Sequence, residues 1–276
     1  MRVRILGCSG GRSGAPLGAP RRLCAPRLPA ARPGRARHLR EQATPADNLV
    51  DAGTGVGDLS EAELAGIDHV FVTHSHLDHI ACLPLIVDTV GDVRASPLLI
   101  HATRPTRNIL KRHIFNWAIW PDFSEIPDAD RPMLAFRSLA VGDAVDVGQG
   151  RRIHVLPADH TVPAVAYGLE GPHGTLVFSG DTGCCDALWQ AVNRLPNVRY
   201  VIIETAFSNR DRRLAAVSKH LCPSMLHEEL GKLEVDAEVF ITHLKPGRGD
   251  ETMREIRTLF GVRAPRMLKQ DQVFDW

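Results

Sequence analysis

Apolar and polar positions alternate from the first residue. Val3 and Ile5 fall on one face of Met1 to Gly7 and Arg2 and Arg4 on the other, the two-residue period of a strand. From Asn48 onward, short apolar runs are separated by longer segments with helical spacing. Strands are predicted at Asn48–Asp51, His69–Thr73, Leu98–His101, Arg152–Leu156, Thr175–Ser179, Tyr200–Ile203 and Glu238–Thr242. Helices are predicted at Ile80–Val90, Thr106–Phe115, Cys185–Asn193, Pro223–Leu233 and Glu251–Phe260. Leu83, Ile86, Val87 and Val90 share one face of the first, and Leu226, Leu230 and Leu233 one face of the fourth. Pro223 suits a first helical position and Gly261 a helix stop. Helices interleaved with apolar strands predict a layered α/β fold in a single domain over residues 1–276, with no internal repeat.

One stretch has neither period. Residues 12–46 carry eight arginines with many Pro and Ala, and no acid precedes Glu41. Three readings fit: a basic arm for an acidic partner, an irregular or disordered loop, or a local frameshift, since order resumes abruptly at Asn48.

Composition narrows the class. Of 276 residues, 44% are hydrophobic and 24% charged, as in a soluble globular protein. A formal net charge of +1 sets up no whole-chain field for nucleic acid. No apolar run approaches the ~20 residues that span a bilayer, and no apolar stretch of a secretory leader follows Met1-Arg2-Val3-Arg4. The six cysteines form no CxxC pair and read as reduced thiols of a cytoplasmic protein.

The 13 histidines matter through their placement. The strand His69–Thr73 runs into His74, His76, Asp78 and His79. Arg152–Leu156 is followed by Asp159 and His160, Thr175–Ser179 by Asp181, Tyr200–Ile203 by Glu204, and Glu238–Thr242 by His243. Five apolar strands each deliver an imidazole or carboxylate at their C-terminal ends. A core strand gains nothing from such an ending, whereas a metal site gains rigid placement of its ligands. His74 and His76, two apart, face the same way in extended backbone. His/Asp ligation without thiolate suits Zn²⁺, with Mn²⁺ or Fe²⁺ as alternatives.

The run His74-Ser75-His76-Leu77-Asp78-His79 resembles the HxHxDH motif of the metallo-β-lactamase superfamily, and Asp51-Ala52-Gly53, His160, Asp181 and His243 follow its order. The resemblance implies an αββα four-layer sandwich holding two zinc ions. His74, His76 and His160 would hold one metal, Asp78, His79 and His243 the other, with Asp181 bridging and Asp51 supporting the loop. Local stretches are similar to class II 3′,5′-cyclic-nucleotide phosphodiesterases. They are His79–Ile86, Glu204-Thr205-Ala206-Phe207-Ser208-Asn209, Ser218-Lys219-His220-Leu221-Cys222-Pro223 and Ile241-Thr242-His243-Leu244-Lys245-Pro246. Lys219 departs from that pattern, which usually has Gly before the histidine matching His220.

The implied reaction is hydrolysis of a cyclic nucleotide, cAMP foremost, to the 5′-nucleotide. Two metals roughly 3.5–4 Å apart would bridge a hydroxide that attacks phosphorus. Asp78 would orient it, and His220, positioned by Glu204, would stabilise the phosphoryl group or protonate the leaving oxygen. Asn116, Trp117 and Trp120 lie in an aromatic-rich stretch of a chain only 5% aromatic. They form either a wall for a purine or a satellite core under a loop. Rival activities on the same resemblance are a ribonuclease Z-like tRNA endonuclease and a lactonase or thioesterase. A ribonuclease Z usually inserts an arm between the ligands matching His160 and Asp181, where this chain has only Thr161 to Gly180. A non-catalytic binding protein is the reading from another class. The expected partner is a small-molecule cyclic nucleotide, with no membrane or nucleic acid, and a homodimer is the default assembly.

Overall fold

The computed structural model describes residues 1–7 and 47–276, so residues 12–46 lie outside the described residues. The strands in chain order are β1 (Arg2–Arg4), β2 (Asp47–Val50), β3 (Ile67–Phe71), β4 (Leu98–Thr103), β5 (Leu134–Leu139), β6 (Ala144–Asp146), β7 (Arg152–Pro157), β8 (Val165–Gly171), β9 (Gly174–Phe178), β10 (Val198–Glu204), β11 (Glu238–Thr242), β12 (Arg266–Met267) and β13 (Val273–Asp275). The helices are α1 (Glu61–Ala65), α2 (Leu77–Ile80), α3 (Leu83–Val90), α4 (Arg104–His113), α5 (Asp186–Val192), α6 (Arg212–Val217), α7 (Pro223–Leu230) and α8 (Gly249–Phe260).

Two sheets hold the fold. A four-stranded sheet runs β2-β3-β4-β5, all parallel. A seven-stranded sheet runs β12-β11-β10-β9-β8-β7-β6, parallel from β9 to β12 and antiparallel from β6 to β9. β1 stands apart from both and pairs antiparallel with β13.

Alternation along each strand separates three apolar layers. In β3, Val70 packs under the helices α3 and α4, while Phe71 turns into the space between the sheets. In β10, Val201 and Ile203 face α5 to α8 while Ile202 faces the other sheet, and β11 repeats this with Ile241 and Phe240. Strands buried on both faces explain why these runs read as continuously apolar. The order of layers is helices, small sheet, large sheet, helices: the αββα sandwich. Tyr167 crosses the middle layer and donates its hydroxyl to the Val72 carbonyl at 2.8 Å. Nearby, the Val165 amide donates to the Thr73 carbonyl. These bonds tie the sheets together beside the end of β3.

The helix expected over Ile80–Val90 is instead two helices, α2 and α3. Pro84 has no N–H to continue a ladder through residue 80. The Cys82 amide leaves the helical pattern to donate to the Ala52 carbonyl, and the Ala52 amide donates to the His79 carbonyl at 2.6 Å. The break thus clamps the histidine-rich turn onto the segment after β2. A Cβ at Gly53 would lie 2.2 Å from the Asp78 carbonyl oxygen, so this close approach demands glycine. The four cysteines among the described residues, Cys82, Cys184, Cys185 and Cys222, are free. No helix of the described residues is long and apolar enough to cross a membrane.

Candidate metal centre

The C-terminal ends of β3, β7, β9, β10 and β11 converge on one place. There, candidate ligand atoms of His74, His76, His160 and Asp181 lie within 4.8 Å of one another, and so do those of Asp78, His79 and His243. Asp181 sits between the two sets. Its Oδ2 is 3.8 Å from His74 Nε2 and 4.0 Å from His160 Nε2. Its Oδ1 is 3.4 Å from His79 Nε2 and 3.3 Å from His243 Nδ1. Asp78 stands at the exposed rim, with Oδ2 3.9 Å from His79 Nε2. The structure therefore brings all seven candidate ligands together.

Hydrogen bonds fix which nitrogen each ring presents. The Thr73 hydroxyl donates to Asp51 at 2.8 Å, which leaves its oxygen to accept from His74 Nδ1 at 2.9 Å. His79 Nδ1 donates to Asp51 Oδ2 at 2.7 Å, and His160 Nδ1 donates to the Lys219 carbonyl at 3.0 Å. In His74 and His160 Nδ1 carries the proton and the Nε2 lone pair faces Asp181; in His79 Nδ1 is likewise held by Asp51, and Nε2 faces Asp181 with a proton that a metal would replace. This is how supporting partners orient metal-binding imidazoles. His74 Nε2 is buried and has no hydrogen-bond partner. A buried lone pair without a donor is costly, and a divalent cation between His74 and Asp181 would satisfy it. His76 Nδ1 and His160 Nε2, 3.1 Å apart, fit the same cation. The donor set fits two divalent metals, with nitrogen and oxygen ligands of the kind zinc accepts.

The electrostatics agree. Burial, reinforced by neighbouring His79, pushes His74 down to about 2, so this ring stays neutral and available as a ligand. Burial opposes charge on Asp181, but His79 and His243 around it hold its carboxyl well below the usual range. Burial also opposes charge on His79, yet Asp51 and Asp181 outweigh it and raise the ring to about 11. The centre attracts positive charge, whether as a proton or as a metal.

The backbone is strained where it aims these groups. Asp51, Lys219 and His243 have left-handed φ values of 58°, 52° and 59°. Such conformations in non-glycine residues cost on the order of 1–3 kcal/mol each and persist where surrounding contacts enforce them. At Lys219 this explains the glycine of the related pattern. Lysine bears the strain here while its Nζ pairs with Asp159 Oδ1 at 2.6 Å.

His220 and Glu204 form a second unit against the first. Glu204 is fully buried and accepts from His220 Nδ1 at 2.6 Å and from the Ala206 amide at 3.0 Å. Burial favours the uncharged His220, but the bond to Glu204 reverses the balance and raises its affinity for a proton. The His220 ring lies 4.9 Å from His160 and 5.3 Å from His243, centroid to centroid. A ligand atom of His220 also lies within 4.8 Å of those of Asp181 and His243.

Asn116, Trp117 and Trp120 lie on a loop away from the convergence of strand ends, the arrangement of the satellite core rather than of the purine wall. α4 starts from Thr103 at the ligand end of the small sheet and descends for ten residues, ~15 Å. The loop after it reaches the other end, where the Phe123 carbonyl accepts from Leu134, the first residue of β5. Asn116 spends its side chain on that loop, accepting from the Ala118 and Ile119 amides. Trp120 packs against the small-sheet core, and Trp117 is exposed. Thr73, Phe207 and Lys245 join the site without a motif of their own: the signal of Thr73 is its place directly before His74, and Phe207 and Lys245 lie in stretches marked by Glu204 and His243.

Comparison with known proteins adds to this geometry. The family model of the beta-lactamase superfamily domain matches residues 48–257. A Yersinia pestis protein named probable 3′,5′-cyclic-nucleotide phosphodiesterase is 26% identical over 206 residues, covering 65% of this chain and 57% of that one. The Aliivibrio fischeri 3′,5′-cyclic-nucleotide phosphodiesterase is 27% identical over 217 residues, covering 70% and 62%. A Mycobacterium bovis ribonuclease Z is 31% identical over 154 residues, covering 51% and 55%. The chain spans less than two thirds of the length of these relatives. Among solved structures, the metallo-beta-lactamase fold protein YhfI from Bacillus subtilis matches with a TM-score of 0.69 at 17% identity, covering 99% of this chain and 98% of that one. Unliganded yeast PDE1 matches at 0.66 and 19%, covering 76% and 68%. The matched family spans most of the chain and includes every candidate ligand of the centre, and the chain belongs to the metallo-β-lactamase superfamily.

Proposed function

We propose that this protein is a dinuclear-metal phosphodiesterase that hydrolyses a 3′,5′-cyclic nucleotide, cAMP foremost, to the 5′-nucleotide. The observation that carries the reading is the His220–Glu204 pair set against the His160 and His243 ligands. A phosphodiester needs charge neutralisation at phosphorus and a proton for the departing oxygen, and these two units offer both. A pair of zinc ions, when bound, supplies positive charge for the phosphoryl oxygens and acidifies water. Asp78, exposed at the rim, orients the attacking water. Glu204 holds Nδ1 of His220, so Nε2 is the atom that delivers a proton to the 3′ oxygen. Two relatives named as cyclic-nucleotide phosphodiesterases support the choice of substrate.

A ribonuclease Z-like activity is the second reading, favoured by the 31% identity to such an enzyme. Against it, β8 and β9 fill the interval between His160 and Asp181 as a tight hairpin, the place where the arm of such an enzyme would be inserted. The deciding experiment is cAMP hydrolysis by zinc-loaded protein, with and without chelator, followed by chromatography of AMP. Chelator-sensitive AMP supports the proposal. A folded protein that holds two zinc ions and turns over no cyclic nucleotide sinks it, and tRNA precursors become the substrates to try.

A further inference from the structure

Two lysines flank the His220 loop, and they are spent differently. Lys219 Nζ is neutralised by Asp159. Lys245, two residues beyond the ligand His243, is half-buried, and no carboxylate among the described residues pairs with it. Its ammonium stands 5.7 Å from the centre of the Phe207 ring. That ring in turn lies 5.7 Å from His220, edge to face. The backbone fixes this stack. The Lys245 amide donates to the Ala206 carbonyl, and the Phe207 amide donates to the Leu221 carbonyl, so all three side chains hang from cross-bonded segments.

The neighbouring carboxylates are already engaged. Asp51 serves Thr73 and His79, Glu204 serves His220, Asp159 serves Lys219, and Asp181 faces the ligand histidines. A half-buried cation without a counter-ion is unfavourable, and the Phe207 face offsets only part of that cost. Divalent metals held by His243 and its neighbours, two residues away in the chain, would add repulsion to this cation. An anion arriving between Lys245 and the metals relieves both.

We propose that Lys245 is the fixed anion contact of this site: held over the Phe207 ring beside His220, its ammonium receives a phosphoryl oxygen of the substrate. Only the choice of a phosphoryl anion rests on the phosphodiesterase reading. A lysine here binds a non-reacting oxygen and has no proton-transfer role. It is therefore a specificity residue, which selects anionic over neutral substrates on a centre that could otherwise hydrolyse either.

The test is calorimetric titration of inorganic phosphate into the zinc-loaded wild-type protein and its Lys245→Met, Lys245→Arg and Phe207→Leu variants, with zinc content measured in each. Loss of a charge-assisted hydrogen bond should raise the phosphate Kd about tenfold in Lys245→Met with zinc content unchanged. Lys245→Arg should stay within about threefold of wild type, and Phe207→Leu should fall between the two. An unchanged Kd in a Lys245→Met protein that keeps its zinc overturns the proposal. So does loss of zinc in that variant, or wild-type protein that binds no phosphate. Phosphate binding that depends on Lys245, in a protein that turns over no phosphodiester, would sink the phosphodiesterase reading and leave the anion contact standing.

Discussion

The two ends of the small sheet use polar and aromatic residues in opposite ways. At the C-terminal end, His74 and His79 are held by bonds that reach across the fold, through Thr73 and Asp51. At the other end, Asn116 bonds only to its own loop and the last turn of the helix before it, and Trp117 stands in solvent. Both stretches look chemically rich in sequence. Long-range support of the polar atoms is what separates a site from a decorated loop.

The largest expected effect tests the ligand end directly. His76→Ala and Asp181→Ala should bring phosphodiester hydrolysis to background in zinc-replete assays, and full activity in either would remove the site from this end. His220→Ala should lower kcat by about 10²-fold or more, as loss of a positioned proton donor does. Its zinc content should stay at the wild-type level; if the metal is lost instead, His220 is a ligand alongside Asp181 and His243. Asp51→Ala, which touches no metal position, should weaken zinc affinity by roughly 10–100-fold in a competition titration.

A smaller effect lies between the sheets, where His101 stacks on Phe71 at 4.4 Å and bonds His69 at 2.9 Å. Burial, with His69 adding to it, lowers His101 to about 4 from an ordinary 6.5. The unfolded chain therefore binds the proton more readily. Stability from this pair is present above about pH 6.5 and lost as pH falls toward 4. In chelator, the midpoint of thermal unfolding should drop less over that window in His101→Phe than in wild type. The smallest effect is expected at the far end: Trp117→Ala should leave KM unchanged for both a cyclic nucleotide and bis(p-nitrophenyl) phosphate. A selective rise for the nucleotide would return the aromatic loop to the site.

Strand-end ligands were legible because each follows a strand whose apolar run is unambiguous, and His160, Asp181 and His243 needed only a shared strand direction to meet. The clamp between Ala52, His79 and Cys82 was not legible, since backbone bonds of that kind leave no residue signature. β5 and β8 escaped because Leu134–Leu139 includes Arg137 and Ser138, and Val165–Gly171 includes two glycines and a glutamate. Their strand state comes from pairing with β4 and β7, a tertiary effect that overrides local preference. The place of the aromatic loop stayed open in the sequence because the direction of α4, and not its composition, decides which end the following residues reach. Phe207 and Lys245 are far apart in sequence and meet only through cross-bonded loops.

The seven candidate ligands come from two separate slabs of the protein. His74, His76, Asp78 and His79 follow the small sheet, while His160, Asp181 and His243 follow the large one. A cation seated among them is thus a rivet through both. It binds the assembled form and has no equivalent place on the unfolded chain, so free metal concentration becomes a variable of heat tolerance as well as of turnover. Metal starvation would then act on the amount of protein that survives, through proteolysis of sprung slabs, before it acts on the rate of those that remain.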